Sequence, residues 1–295
     1  MRLAGVLLLT AGYGTRVEPL SLLRPKCLLP WADSTVLGIL AEQVSALDPV
    51  RVRINASRCP DEILAHIYEV WPKERCRLYF EERPLGGTAT LARHSEEMAT
   101  GSWMVVNTDM VMPGLDMRRM FDEHLRTGAA WTALTGALPE DGGYSPLAVD
   151  DKGRFGVGGT QRTHYRGVSI MEPGISELAA SLQAHRGMFS ELAPVASEEC
   201  GELMVHSSSG PWFDMGRLDT LRENILSGGS FVHPSACVSS DAVLLGRYSI
   251  GRGCMLGSGT LLRDSVMLEG STLEEGKLEE GLLPWSCSST DGERI

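Results

Sequence analysis

The chain has 295 residues, of which 43% are hydrophobic and 22% charged, and its net charge is −11. That length suits a large domain joined to a smaller one. The acidic balance excludes a broad nucleic-acid surface, which needs a basic stripe, but a few local cations and backbone N–H groups can hold a small anion inside an acidic protein.

The opening "MRLAGVLLLTAG" has one arginine and a short apolar run, with no A-x-A cleavage site before glycines and charges follow. It reads as a first buried strand rather than a signal peptide. No run reaches the ~20 apolar residues of a membrane-spanning helix. Seven cysteines (27, 59, 76, 200, 237, 254 and 287) form no CxxC pair, which predicts reduced thiols in a cytoplasmic protein rather than a zinc site or disulfide framework.

Strand-like and helix-like segments alternate through the first 228 residues. Apolar or alternating runs predict strands at Leu3–Leu9, Val50–Ile54 and Trp103–Val106, and later at Leu147–Asp150, Tyr165–Met171 and Leu203–Ser207. Helical spacing marks Ser34–Leu47, Asp61–Val70, Ala89–Met98, Asp116–Arg126 closed by Gly128, and about Leu218–Leu226. Such β-α-β alternation predicts an α/β domain, a parallel or mixed sheet with helices on both faces. "SGG" at 227–229 reads as a linker.

Beyond it the period changes. Val232, Val238, Leu244, Ile250, Leu256, Leu262 and Leu268 recur every six residues, often with a small residue two places earlier (Ala236, Ala242, Cys254, Thr260). Neither a helix nor a simple strand puts every sixth residue on one face, whereas a three-sided β-solenoid does. From Leu268 the interval shortens to five (Leu273, Leu278, Leu283), where the regular coil is expected to distort or end. The boundaries are therefore 1–228 and 229–295, the second with a polar tail.

The stretch "LTAGYGTRVEPLSLLRPKCLLP" (9–30) follows the first strand. It lacks the P-loop pattern GxxxxGK[ST], and Val17 stands where a dinucleotide fingerprint needs its third glycine. Glycines let successive N–H groups converge on an anion, and Arg16 and Lys26 add positive charge. The alternative is a surface loop with solvated cations; composition alone does not decide.

In register and without gaps, residues 9–30 resemble the signature L-[AG]-[AG]-G-x-G-[TE]-R-x-x-P-[LM]-[TS]-x-x-x-P-K-x-[LM]-[LV]-P of sugar-1-phosphate nucleotidyltransferases. Thr10 departs from it. "EERPLGGTATL" (81–91) resembles E-x-x-P-L-G-T-A-G-x-L, and "VVNTDM" (105–110) resembles the strand-end G-D or S-D motif. "YSPLAVDDKGRF" resembles Y-G-V-V-x-x-D-x-x-G, with Ser145 in place of glycine. "YRGVSIMEP" resembles T-G-[IV]-x-x-x-x-P, and "GPWFDMGRLDTLRENI" (210–225) resembles W-x-D-[IVL]-G-T-x-x-x-Y-x-x-A-N, with Arg217 in place of threonine.

The resemblance implies a Rossmann-like mixed sheet followed by a short left-handed parallel β-helix, as in mannose-1-phosphate guanylyltransferases. It implies transfer of a nucleotidyl group from an NTP to a sugar-1-phosphate, with Arg16 and Lys26 catalytic. Ala11, Gly12, Gly14, Thr15, Glu82, Pro84, Gly86 and Gly87 would bind the nucleotide, Ser145, Arg166 and Gly167 the sugar phosphate, and Asp109 and Asp214 Mg²⁺. Read without it, Asp109 is equally a strand-terminal cap and Asp214 a turn residue beside Gly216. Phe213 and Trp212 read as packing residues.

The E-K-P motif, whose lysine contacts the sugar phosphate in many members, is absent; Arg162 and Arg166 are candidate substitutes. GTP with mannose-1-phosphate is the first choice. The alternatives are uridylyl or thymidylyl transfer to another sugar-1-phosphate, including a muramate type, and a non-catalytic regulatory subunit. An acyltransferase is disfavoured, with about seven hexads and no histidine-bearing loop. The coil also predicts a homo-oligomer, because open solenoids cover exposed ends by association. No nucleic-acid or membrane partner is expected.

Overall fold

The computed structural model describes residues 2–140, 143–182 and 187–285, with the backbone of Ser288–Ser289. They form two compact units, one of Met1–Gly12 with Leu40–Trp212 and one of Tyr13–Ile39 with Phe213–Ile295. Residues 213–228, read from the sequence with the first domain, thus cluster with the C-terminal strands, as does most of the glycine-rich loop.

The first unit holds an eight-stranded mixed sheet. Its spatial order is Leu203–Ser207, Trp131–Gly136, Gln161–Met171, Trp103–Asn107, Gly5–Leu9, Arg51–Ala56 and Cys76–Phe80, with Leu147–Val149 paired to the start of Gln161–Met171. Gly5–Leu9 lies between two parallel neighbours, Leu9 meeting Asn55 on one side and Asn107 on the other. Gln161–Met171 runs antiparallel to both of its long neighbours. A strand buried on both faces needs a continuous apolar run, which is what "GVLLL" supplies.

On one face Leu7, Trp103, Val105 and Ala133 join Leu91, Met98, Ile175, Leu178 and Ala196 in a single core. Those last five come from the helices Gly87–Arg93, Ser95–Met98, Pro173–Leu182 and Ala193–Glu199. Val6, Leu8, Ile54, Met104 and Val106 alternate to the other face and are fully buried too. The helices Val36–Ser45 and Met117–Thr127 also bury one face each, Leu40, Ala41 and Val44 on the first and Met117, Met120 and Phe121 on the second. Arg118 ties them together by donating to the Ala46 carbonyl at 2.8 Å. Asp116 caps the Met117–Thr127 helix by accepting from Arg119 N at 2.9 Å, and Gly128 closes it. The helix expected over Ala89–Met98 is broken at His94 into Gly87–Arg93 and Ser95–Met98.

In the second unit, short parallel strands stack along 231–289. Phe231 pairs with Ser249, Cys237 with Met255 and Val243 with Leu261, each an offset of 18 residues, or three hexads. The offset falls to 17 at Ser249–Val266 and Met255–Thr272, then to 16 at Leu261–Lys277 and Val266–Leu282. The shortening begins before Leu268, where the sequence placed it: the register shifts between Leu245 and Tyr248, Ile250 pairs with Met267, and Met267 rather than Leu268 joins the interior. Ile250, Leu256, Leu262, Leu273, Leu278 and Leu283 form the interior with Cys254, and Val232, Ala236, Val238, Ala242 and Leu244 pack against it. Successive turns are stapled by the Asp241 carboxylate, which accepts from Ser258 Oγ at 2.6 Å and Gly259 N at 3.1 Å.

Candidate active site

In an open α/β sheet, ligands bind beyond the carboxyl ends of the parallel strands. In the first unit, four parallel strands (Gly5–Leu9, Arg51–Ala56, Cys76–Phe80, Trp103–Asn107) end together. The register therefore brings Ala11, Gly12, Glu82, Pro84, Gly86, Gly87 and Asp109 to one edge of the sheet. Gln161–Met171 runs the other way and delivers Arg166 and Gly167 to that edge beside Val106 and Asn107. Ser145 is exposed just before Leu147–Val149.

A buried relay shapes this edge. Thr10 N donates to Asn55 Oδ1 at 2.9 Å, and its hydroxyl donates to the Asn55 carbonyl. Asn55 Nδ2 donates to Glu81 Oε1 at 3.0 Å, and Glu81 Oε2 accepts from Leu85 N at 3.0 Å. Thr10, Asn55 and Glu81 are all buried. The departure from the signature at Thr10 thus serves as an anchor for the loop's entry. The relay also orders the 81–87 segment. Glu82, the residue singled out from the sequence, is exposed, whereas Glu81 holds the turn that leads into Gly86 and Gly87.

Asp109 follows the Trp103–Asn107 strand and is half-buried. Burial pushes the Tyr165 hydroxyl pKa up, and the nearby Asp109 carboxylate adds to that rise. Gly167 has φ +84°, and a Cβ there would meet Met110 Cε at 2.6 Å, so only glycine fits. The two candidate substitutes for the E-K-P lysine differ sharply. Arg162 is exposed and turns back on the Gly159 and Gln161 carbonyls at 2.6 and 3.1 Å. Arg166 is buried and donates from Nη1 to the Gly210 carbonyl at 2.7 Å. Trp212 packs with Tyr144 and His164, its ring centroid 5.3 and 4.8 Å from theirs.

The second unit carries Gly14, Thr15, Arg16, Lys26 and Asp214. Gly14 adopts the left-handed conformation and opens the 3-10 turn Thr15–Val17; a second such turn spans Lys26–Leu28. Val17, Leu20, Cys27, Leu28 and Leu29 are buried anchors, while Thr15 and Arg16 are exposed and Lys26 is half-buried. Arg24 pairs with Glu269 at 2.6 Å. Asp214 is buried; Oδ1 accepts from Gly216 N at 2.7 Å and its carbonyl accepts from Asn224 Nδ2 at 2.7 Å. The turn role considered for Asp214 is therefore real. Arg217 pairs with Asp219 at 2.7 Å at the start of the Leu218–Leu226 helix. Phe213 packs on Trp31 with ring centroids 4.9 Å apart.

Among the described residues no group of three or more His, Cys, Asp or Glu side chains could by itself hold a metal. Mg²⁺ is held through one or two carboxylates plus substrate phosphates and water; Asp109 in the first unit and Asp214 in the second are each a carboxylate of the hard oxygen type it takes. Among the described residues no helix is long and apolar enough to cross a membrane, and no disulfide joins the six described cysteines.

Residues 6–200 match the model of the MobA-like NTP transferase domain, and the chain belongs to that family of nucleotidyltransferases. Among named relatives it is similar to the mannose-1-phosphate guanylyltransferase of Mycobacterium tuberculosis, at 26% identity over 91% of this chain and 80% of that protein. It is also similar to the mannose-1-phosphate guanylyltransferase catalytic subunit beta of Danio rerio, at 26% identity over 96% of this chain and 86% of that one. A solved putative glucose-1-phosphate thymidylyltransferase from Bacillus anthracis shares the fold, with a TM-score of 0.64 and 14% identity over 76% of this chain and 94% of that structure.

Proposed function

We propose that the protein joins the α-phosphorus of a nucleoside triphosphate to the phosphate oxygen of a sugar-1-phosphate and releases pyrophosphate, with GTP and mannose-1-phosphate as the substrates. The observation that carries this is the full-length similarity to named mannose-1-phosphate guanylyltransferases. The gapless signature at 9–30 supports it.

The chemistry suits the residues. The attacking phosphate oxygen is already anionic, so no general base is required. The obstacle is bringing two polyanions together, which makes positioning and charge neutralisation the main tasks. In this reading Arg16 and Lys26 hold the triphosphate and stabilise developing charge, with the Gly12–Thr15 amides supporting them. The 84–87 turn, held by Glu81, borders the base, and Ser145, Arg166 and Gly167 face the sugar phosphate. Asp109 and Asp214 are assigned to Mg²⁺, which when bound neutralises phosphate charge.

We further assign nucleotidyl transfer to residues 1–228, a left-handed β-helix to 229–295, a cytoplasmic location and a homo-oligomer built through the C-terminal strands. The test is pyrophosphate release over a grid of NTPs and sugar-1-phosphates with Mg²⁺. GTP with mannose-1-phosphate is expected to give the highest kcat/KM. Silence across the grid from folded protein would favour a regulatory subunit instead.

A further inference from the structure

The outer strand of the large sheet, Cys76–Phe80, carries an arrangement that the reaction leaves unused. Its Arg77 stands directly opposite Arg53 in the parallel register, and like charges facing across a ladder are destabilising. Arg53 is compensated, because its Nε donates to Glu97 Oε2. The other Glu97 oxygen accepts from the Tyr79 hydroxyl at 2.8 Å, and Arg77 Nη1 stops 4.0 Å from it, beyond hydrogen-bond reach. Arg77 instead lies over the Tyr79 ring, with Cζ 4.8 Å from the centroid, and Arg93 lies over the same ring at 5.7 Å. Buried His94 meets that ring edge-on at 4.5 Å and holds it in place.

Three arginines and one carboxylate thus gather about Tyr79, in a chain whose net charge is −11. A charged edge strand discourages edge-to-edge pairing. That accounts for Arg77 but not for Arg93, which a helix brings to the same ring. A guanidinium resting on an aromatic face keeps its in-plane N–H groups free, and those suit the oxygens of a phosphate. Both side chains are exposed, so an anion can reach them. Arg77 lies about 10 Å back along its strand from Phe80, and Arg93 about 9 Å along its helix from Gly87. The pair therefore stands at the foot of one strand–turn–helix unit whose tip is the 81–87 turn.

We propose that Arg77 and Arg93 clamp a phosphoryl group at this edge, away from the reaction centre, and that the bound group draws strand and helix together and steadies the 81–87 turn. The ligand is a small anion, either free phosphate or the phosphate of a sugar. The effect on the turn's nucleotide rests on the nucleotidyltransferase reading; the binding itself does not.

The first arm uses no substrate. Arginine Nε–H resonances of the isotope-labelled full chain are assigned from Arg77→Gln and Arg93→Gln and followed at matched ionic strength. Inorganic phosphate is expected to move both resonances along one saturation curve, and either substitution to weaken the response of the remaining arginine at least tenfold. Tighter binding of glucose 6-phosphate assigns the site to a phosphorylated sugar; equal or weaker binding assigns it to free phosphate. The second arm measures pyrophosphate release. Saturating ligand is expected to lower the wild-type KM for the NTP at least threefold and to leave it unchanged in both variants, whose turnover without ligand matches wild type. Competition at the reaction centre is common to all three proteins and cancels in the comparison. Resonances that stay put with both ligands, or a KM response that survives the substitutions, would overturn the proposal. If wild type releases no pyrophosphate, the nucleotidyltransferase reading fails, while the resonances still judge the clamp.

Discussion

The Thr10–Asn55–Glu81–Leu85 relay has a fixed direction, which exposes it to a near-isosteric change. Its two ends are backbone N–H groups, which can only donate. Thr10 N claims Asn55 Oδ1, so Asn55 must present Nδ2 to Glu81, and Leu85 N claims the other Glu81 oxygen. Both carboxylate oxygens thus receive donors, with the Thr90 hydroxyl a third at 3.5 Å. Glutamine in place of Glu81 offers one oxygen and one NH₂, which must face a donor from one side or the other. Losing a hydrogen bond to a charged acceptor while leaving a donor buried is expected to cost about 2–4 kcal/mol. Urea unfolding at constant m-value measures that loss, and amide exchange at Leu85 should quicken. Because the same turn leads to Gly86 and Gly87, KM for the NTP should rise several-fold. A Glu81→Gln protein within about 0.5 kcal/mol of wild type, with Leu85 equally protected, would refute this account.

Replacing Asp109 by alanine should abolish turnover while circular dichroism stays unchanged; normal activity would remove the metal assignment. His94 is buried, and desolvation pushes its pKa down from 6.5 to about 4. The unfolded chain therefore binds more protons between those values, and stability should fall as pH drops through that window, by up to ~3 kcal/mol. Denaturant midpoints of His94→Gln should flatten over the same range. Leu262→Ala, at a fully buried site, should cost about 2–5 kcal/mol, against less than about 0.5 kcal/mol for the exposed Leu245→Ala. Light scattering at micromolar concentration should give a mass above the monomer's.

Elements with a clean period were legible in the sequence. Gly5–Leu9, Trp103–Asn107, Leu203–Ser207 and Leu218–Leu226 stand where hydrophobic spacing placed them, within two residues. The strands Cys76–Phe80 and Trp131–Gly136 were not legible. The first lies at the sheet's edge and alternates only weakly, with Arg77 and Phe80 exposed. The second is buried throughout despite two threonines; one of them, Thr132, is satisfied by His124 Nδ1 at 2.8 Å. At the candidate site, a linear pattern cannot tell Glu81 from Glu82. Only the fold, bringing residues 45 and 26 positions apart into hydrogen-bond reach, shows which is the anchor. Arg162 and Arg166, both open to the sequence as substitutes for the missing lysine, differ in burial, which no linear pattern reveals.

The falling offset in the C-terminal strands, from 18 to 17 to 16 residues, has a geometric consequence. A shorter repeat means a smaller perimeter, by about 3.3 Å for each residue removed, so the coil narrows from its first turn to its last. A coil of constant girth can be lengthened by copying any turn, and its open end presents the template for the next. A tapering coil cannot, because a copied turn no longer matches the strand it must meet. The taper is thus a limit, written into the backbone, on growth by simple repetition.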